Sequence, residues 1–173
     1  SWLDTLIMSF LELLNALPSL VLAIAIVAIV GVGLTNTVLA VALVAIPNIA
    51  LQVRADIKAE FNKPYTSFAR LDGANNLQIV TREVLPNVGA KLLAQSGSVC
   101  SVAILEISAL GFLGLGAQAP LPEWGTLLSE AHLQFFTNAS SIFIPGAAIL
   151  LSVMSINWIS LGLNDAINAL KET

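Results

Sequence analysis

Residues 13–53 read LLNALPSLVLAIAIVAIVGVGLTNTVLAVALVAIPNIALQV and contain no Asp, Glu, Lys or Arg. One helical crossing of a bilayer takes about 20 apolar residues, so this stretch is long enough for two. Gly31-Val32-Gly33 and Asn36, near its middle, supply the turn between them. A charge-free run of this length belongs in lipid, and the chain reads as an integral membrane protein. Its few polar segments become the places to look for function.

Composition agrees. Of 173 residues, 57% are hydrophobic and 10% charged, against about 25% charged in a soluble domain. The mean hydropathy is +0.87. The net charge of −4 carries little information, because charge in a membrane protein is read loop by loop. The single cysteine, Cys100, excludes an intrachain disulfide and a cysteine metal cluster, and its apolar surroundings suit a small packed residue. His132 is the single histidine, which excludes a multi-histidine metal site. No cofactor, no metal and no nucleic-acid partner are expected. The chain starts at Ser1, and Ser1-Trp2-Leu3-Asp4-Thr5 lacks the basic region of a signal peptide. It reads as part of a longer protein.

Four apolar segments are expected to cross the membrane, at about 6–30, 37–53, 88–110 and 142–163. The first holds Glu12, Asn15 and Pro18; the proline kinks the helix or starts a new one. The second holds Pro47 and Asn48, and the fourth has Pro145 and Gly146 near its start. These segments are too long, and lack the period-2 alternation, for barrel strands. Arg54, Lys58, Lys63, Arg70 and Arg82 lie between the second and third segments, Lys91 just inside the third, and Lys171 at the C-terminus. The turn at 31–36 and the segment 111–141 have no basic residue. The positive-inside rule therefore places the loop 54–87 and both chain ends in the cytoplasm, and the other two loops outside.

The cytoplasmic loop is polar but patterned. Leu71, Ala74, Leu77, Val80 and Val84 recur at spacings of three and four, an amphipathic helical stripe. Gly73 interrupts it, at a cost of about 1 kcal/mol relative to Ala in a helix, and Leu85-Pro86 is expected to stop it. Two short helices hinged at Gly73 fit these signals. Such a stripe docks a partner protein or rests on lipid headgroups, and the residues alone leave both readings open.

This loop resembles the EAA loop of binding-protein-dependent ABC importer permeases, whose pattern is Glu-Ala-Ala, three residues, Gly, then about nine residues to Ile-x-Leu-Pro. Ala69 matches the second Ala, Gly73 the Gly, Leu77 and Ile79 the apolar positions, and Val84-Leu85-Pro86-Asn87 the end. Ser67 and Phe68 stand where the family has Glu and the first Ala. Further matches follow in order: Ala16-Leu17-Pro18-Ser19-Leu20, the run Leu105-Glu106-Ile107-Ser108-Ala109-Leu110-Gly111-Phe112-Leu113-Gly114-Leu115-Gly116, Pro122-Glu123-Trp124-Gly125, and Pro145-Gly146-Ala147-Ala148-Ile149. These resemble the dipeptide/oligopeptide/nickel branch. Arg70-Leu71-Asp72-Gly73-Ala74 with Leu115-Gly116-Ala117-Gln118 is most similar to the Sap peptide-transport branch, in its second, C-type subunit.

The resemblance covers essentially the whole chain. It implies an all-α integral membrane fold: the C-terminal four helices of a type I ABC importer transmembrane domain, with a cytoplasmic coupling-helix loop. It implies a peptide permease in the bacterial inner membrane. Its partners would be separate ATP-binding-cassette ATPase subunits, a second permease subunit, a periplasmic substrate-binding protein and membrane lipid. Ala69, Asp72, Gly73, Leu77, Leu85 and Pro86 would form the ATPase-coupling loop. The chain has no Gly-x-x-x-x-Gly-Lys-Ser/Thr phosphate loop, and it is read as a transport subunit rather than an enzyme.

Two other residues are candidates for the pathway or a gate. Glu106 lies deep in the third segment, where a carboxylate is costly unless it faces protein or water; it either lines a pathway or makes a helix-packing hydrogen bond. Trp124 suits an aqueous interface, in an outward loop expected to fold back as a short helix around Gly125–Leu128. That loop either contacts a binding protein or caps the helix ends. Glu12 suits the cytoplasmic interface. The rival class is a secondary transporter or channel driven by ion gradients, which normally carries several buried ionisable groups; Glu106 is nearly alone. A nickel permease is the alternative within the family.

Overall fold

The computed structural model describes residues 2–136, 138 and 140–172. The described residues form helices joined by turns and loops, with no strand. Lys171, counted above among the basic residues, lies outside the residues whose side chains are described, as Ser1 lies outside the described chain.

The run that decided the fold forms a bent helix pair followed by a long straight helix. α1 is Trp2–Asn15 and α2 is Ser19–Val30, and they meet at 94°. Pro18 sits between them with ψ 125, outside the helical region, and a proline also pushes its predecessor out of it. The crossing expected at about 6–30 is therefore not one rod. With 12 residues, α2 is about 18 Å long, shorter than the hydrocarbon core of about 30 Å.

α3 is Leu34–Phe61, with Pro47 accommodated inside it. Three helical stretches are long and apolar enough to cross a membrane: Leu34–Phe61, Asn76–Phe112 and Ser140–Ile167; the α1/α2 pair passes the same test only when taken together. The turn between α2 and α3 is stitched by side chains. Asn36 Nδ2 donates to the carbonyls of Gly31 and Val30 at 3.0 and 3.3 Å. This satisfies carbonyls that a helix end leaves open. Thr37, fully buried, donates to the Leu115 carbonyl at 2.9 Å, and Gly33 N–H reaches the same oxygen at 3.2 Å.

After α3 the chain makes the short helix α4, Pro64–Leu71, then α5, Asn76–Gln78. α5 runs through a π turn, Ile79–Val84, into α6, Leu85–Phe112. Leu85-Pro86 does not stop the helix as expected. Proline lacks an N–H and its ring crowds the carbonyl four residues back. The preceding turn is widened, with Leu85 N–H bonded to the Val80 carbonyl five residues back, and a helix can pass such a defect in π register. α7 is Trp124–Leu133 and α8 is Ser140–Glu172, so the fourth apolar segment is helical well beyond 142–163.

The core joins α2, α3 and α6 through Ala23, Val27, Ala40, Val41 and Leu110. Small residues let membrane helices approach closely, and α6 meets α8 in the same way. A Cβ on Gly97 would stand 2.6 Å from Ser160 Cβ. Ser160 Oγ donates to the Ala94 carbonyl, and Ser101 Oγ to that of Val153 at 3.4 Å. At the basic end, Lys91 pairs with Asp56 and Arg54 with Asp4, each at 2.5 Å, tying α6 and α1 to α3. Large apolar side chains such as Ile29, Phe143 and Trp158 face outward, as a lipid-facing surface requires.

Candidate functional site

Gly73 is a helix stop. Its φ is +86, a conformation that Gly adopts without a Cβ penalty. Ala74 N–H bonds the Ala69 carbonyl at 3.0 Å and Gly73 N–H the Arg70 carbonyl at 3.1 Å. These are the paired bonds of a Schellman motif with glycine at C′. A Cβ at Gly73 would meet nothing within 4 Å, so backbone conformation rather than crowding within the chain requires the glycine. Two residues on, Asn75 restarts the helix. Its side chain accepts from Gln78 N–H and its own N–H donates to Gln78 Oε1, both at 2.9 Å, a reciprocal capping box.

The apolar stripe divides at this turn. Ile79, Val84 and Val88 are buried in a small core that Ala69, Ala74, Ile57 and Phe61 pack against. Phe68, Leu71 and Leu77 are 65%, 82% and 71% exposed. Ala69, Asp72 and Gly73 line a hollow of about 300 Å³ with Ala74, Gln78, Ile79, Arg82 and Glu83. Leu77 stands exposed beside it, while Leu85 and Pro86 do not line it. The reading of Val84 as part of an exposed surface is thus corrected: Val84 is internal packing, and the large apolar side chains exposed here are Phe68, Leu71 and Leu77. The phenylalanine that replaces the family's small residue becomes an aromatic knob on that surface.

A polar cluster fixes α4 to the membrane helices, and the sequence reading missed it. Glu60, buried at the end of α3, accepts from Tyr65 Oη at 2.7 Å and Lys63 Nζ at 2.8 Å. Asn87 on α6 donates to Tyr65 Oη at 3.5 Å and to the Glu83 carbonyl at 2.8 Å. Burial, then the hydrogen bond and negative charge of Glu60, push the Tyr65 phenol up to about 12; the Asn87 bond acts in the opposite direction. The residues come from separate elements, so no periodicity pointed to them.

In the membrane-spanning part, Glu106 lines a cavity of about 390 Å³ between α1, α2, α3 and α6. Ser19 Oγ donates to its carboxylate. The residue thus makes a helix-packing hydrogen bond and also faces a cavity. The other polar lining comes from Asn15, Asn48, Gln52, Gln95 and Ser98. Gln95 Oε1 is buried and has no hydrogen-bond partner among the described residues.

Trp124 does not line this cavity. It begins α7, 42% exposed, and the expected fold-back helix is thus a ten-residue element packed on α6 and α8. Its neighbour Glu123, named above only within a matching motif, has contacts that the sequence did not point to. Glu123 Oε2 accepts from Ala117 N–H at 2.9 Å, and its carboxylate occupies the space that a Cβ on Gly111 or Gly116 would fill. These two glycines, at the end of α6 and in the loop after it, make room for a carboxylate. His132 makes an edge-on ring contact with Phe112, centroids 5.9 Å apart.

Sequence comparison places these features among known proteins. The chain is 47% identical over 163 residues to the di/tripeptide transport system permease protein DppC of Pseudomonas aeruginosa, covering 94% of this chain and 54% of that protein. It is 42% identical over 159 residues to the peptide transport system permease protein SapC of Escherichia coli O6:H1, covering 92% and 54%. It is 42% identical over 164 residues to the dipeptide transport system permease protein DppC of Escherichia coli K12, covering 94% and 54%. The chain spans about half the length of the curated relatives it matches. Residues 1–171 match the family described as binding-protein-dependent transport system inner membrane component, and the chain belongs to that family.

Proposed function

We propose that the chain forms part of a permease subunit that moves peptides across the bacterial inner membrane. In this reading ATP is hydrolysed by separate ATP-binding-cassette subunits, which seat on the 66–84 loop, here taken to be cytoplasmic. A second permease subunit completes the pathway, and a periplasmic binding protein delivers the peptide. The observation that carries the reading is the capped stop and restart at Asp72–Asn75, which presents Phe68, Leu71 and Leu77 outward on a rigid turn. Exposed apolar side chains on a polar loop suit a surface that a partner protein covers. Tyr65 ties that surface to α3 and α6, so a push on α4 reaches the membrane helices directly. The near-solitary charge of Glu106 in the membrane-spanning part speaks against an ion-gradient carrier.

The test is uptake of a labelled dipeptide into proteoliposomes carrying the full complex. ATP-dependent accumulation with the ATPase subunits, and none without them, is expected. Accumulation driven by a proton gradient alone would overturn the reading.

A further inference from the structure

We propose that the cavity at Glu106 is a binding site for the free N-terminus of a short peptide, with the Glu106 carboxylate as counter-ion to its α-ammonium. This rests on the permease reading and adds a ligand group and a contact to it. Glu106 is the sole ionisable residue lining a cavity of about 390 Å³, and the lining supplies no cation. Ser19 holds the carboxylate by donating to it. A carboxylate facing such a space in a membrane-spanning segment favours a cationic ligand.

The remaining lining narrows the class. Asn48, Gln52 and Gln95 provide amide donors and acceptors of the kind that pair with a peptide backbone. The walls between these groups are valine, alanine and isoleucine side chains of α3 and α6. A bare metal ion would leave most of this volume and all of the apolar wall unused. A cavity at the lower end of the size range of small-molecule sites, with one carboxylate, several amides and apolar walls, fits an ammonium joined to a short amide chain.

The experiment measures equilibrium binding of radiolabelled Ala-Ala and of N-acetyl-Ala-Ala to the purified full complex, without its binding protein. Wild type is expected to bind the free peptide about 10- to 100-fold more tightly, the range of a hydrogen bond to a charged group. Glu106→Gln should lose that preference, and Glu106→Asp should restore part of it. Co-purification of the ATPase subunits should be unchanged in all three proteins. Equal binding of the two peptides by wild type, an unaltered preference in Glu106→Gln, or no binding at all would overturn the proposal. Any of these with ATP-driven uptake intact leaves the permease reading standing. Failure of uptake in wild type would instead remove the permease reading.

Discussion

The phenol of Tyr65 donates to Glu60 Oε1 at 2.7 Å and so joins α4 to the last turn of α3. Asn87 completes the link to α6. Tyr65→Phe removes this link without changing side-chain shape. A hydrogen bond to a charged group is worth about 1.5–3 kcal/mol, so amides of residues 64–71 should exchange hydrogen about 10- to 100-fold faster, and ATP hydrolysis should couple less efficiently to uptake. Exchange at the wild-type rate would show that the bond contributes nothing to the order of α4.

The same residue gives a pH signature. The sequence contains one tyrosine, so the phenolate absorbance that distinguishes wild type from Tyr65→Phe reports Tyr65 alone. The folded-state value is raised, from an ordinary 10.0 to about 12. The protonated phenol therefore contributes its stabilisation in full below pH 10 and loses it as pH rises through about 12. A titration midpoint near 12 is expected in the folded complex. A midpoint near 10 would mean that Tyr65 is neither buried nor bonded to Glu60.

Substitutions at Gly73 should rank by backbone conformation. A left-handed residue costs roughly 1–2 kcal/mol for most side chains and less for Asn. ATPase-coupled uptake should fall in the order Gly, Asn, Ala, Val, the β-branched side chain being worst. Asn no better than Ala would mean that something other than the positive φ governs this position.

How much of this was legible in the sequence depends on the range of the interactions. The charge-free run fixed the solvent, the basic residues of 54–91 mark one end of the bundle, and the Gly73 interruption marks a real stop. Each signal is local and survives any packing. Pro18 and Pro86 carry the same local signal, yet Pro18 bends the chain by 94° while the helix continues through Pro86 by widening one turn. Only the helices packed around each proline decide between these outcomes. Val84 was read on the exposed stripe because periodicity shows a face but not what covers it; α3 covers it. Glu123, Ser19 and the Tyr65–Asn87 pair act across 6 to 87 residues of sequence, where spacing carries no information.

The α6–α8 contact gives a prediction about stability. Gly97 has no room for a Cβ beside Ser160, whereas a Cβ at Gly89 meets nothing within 4 Å. Overpacking typically costs about 1–3 kcal/mol. Gly97→Val should lower the melting temperature of the purified complex, and Gly89→Ala should leave it unchanged or raise it. Equal melting of wild type and Gly97→Val would contradict the close approach of these helices.

The central claim is that the exposed face of the 66–84 loop seats the ATPase subunits. Leu71, 82% exposed, offers the most direct probe. In a Cys100→Ala background of the full complex, a cysteine at position 71 should cross-link to an ATPase subunit with a short thiol-to-lysine reagent. A cysteine at the exposed Gln118, in the loop between α6 and α7, should not, and should instead react with an impermeant thiol reagent applied from outside intact cells. Cross-linking from position 118, or none from position 71 in an assembled complex, would contradict the account.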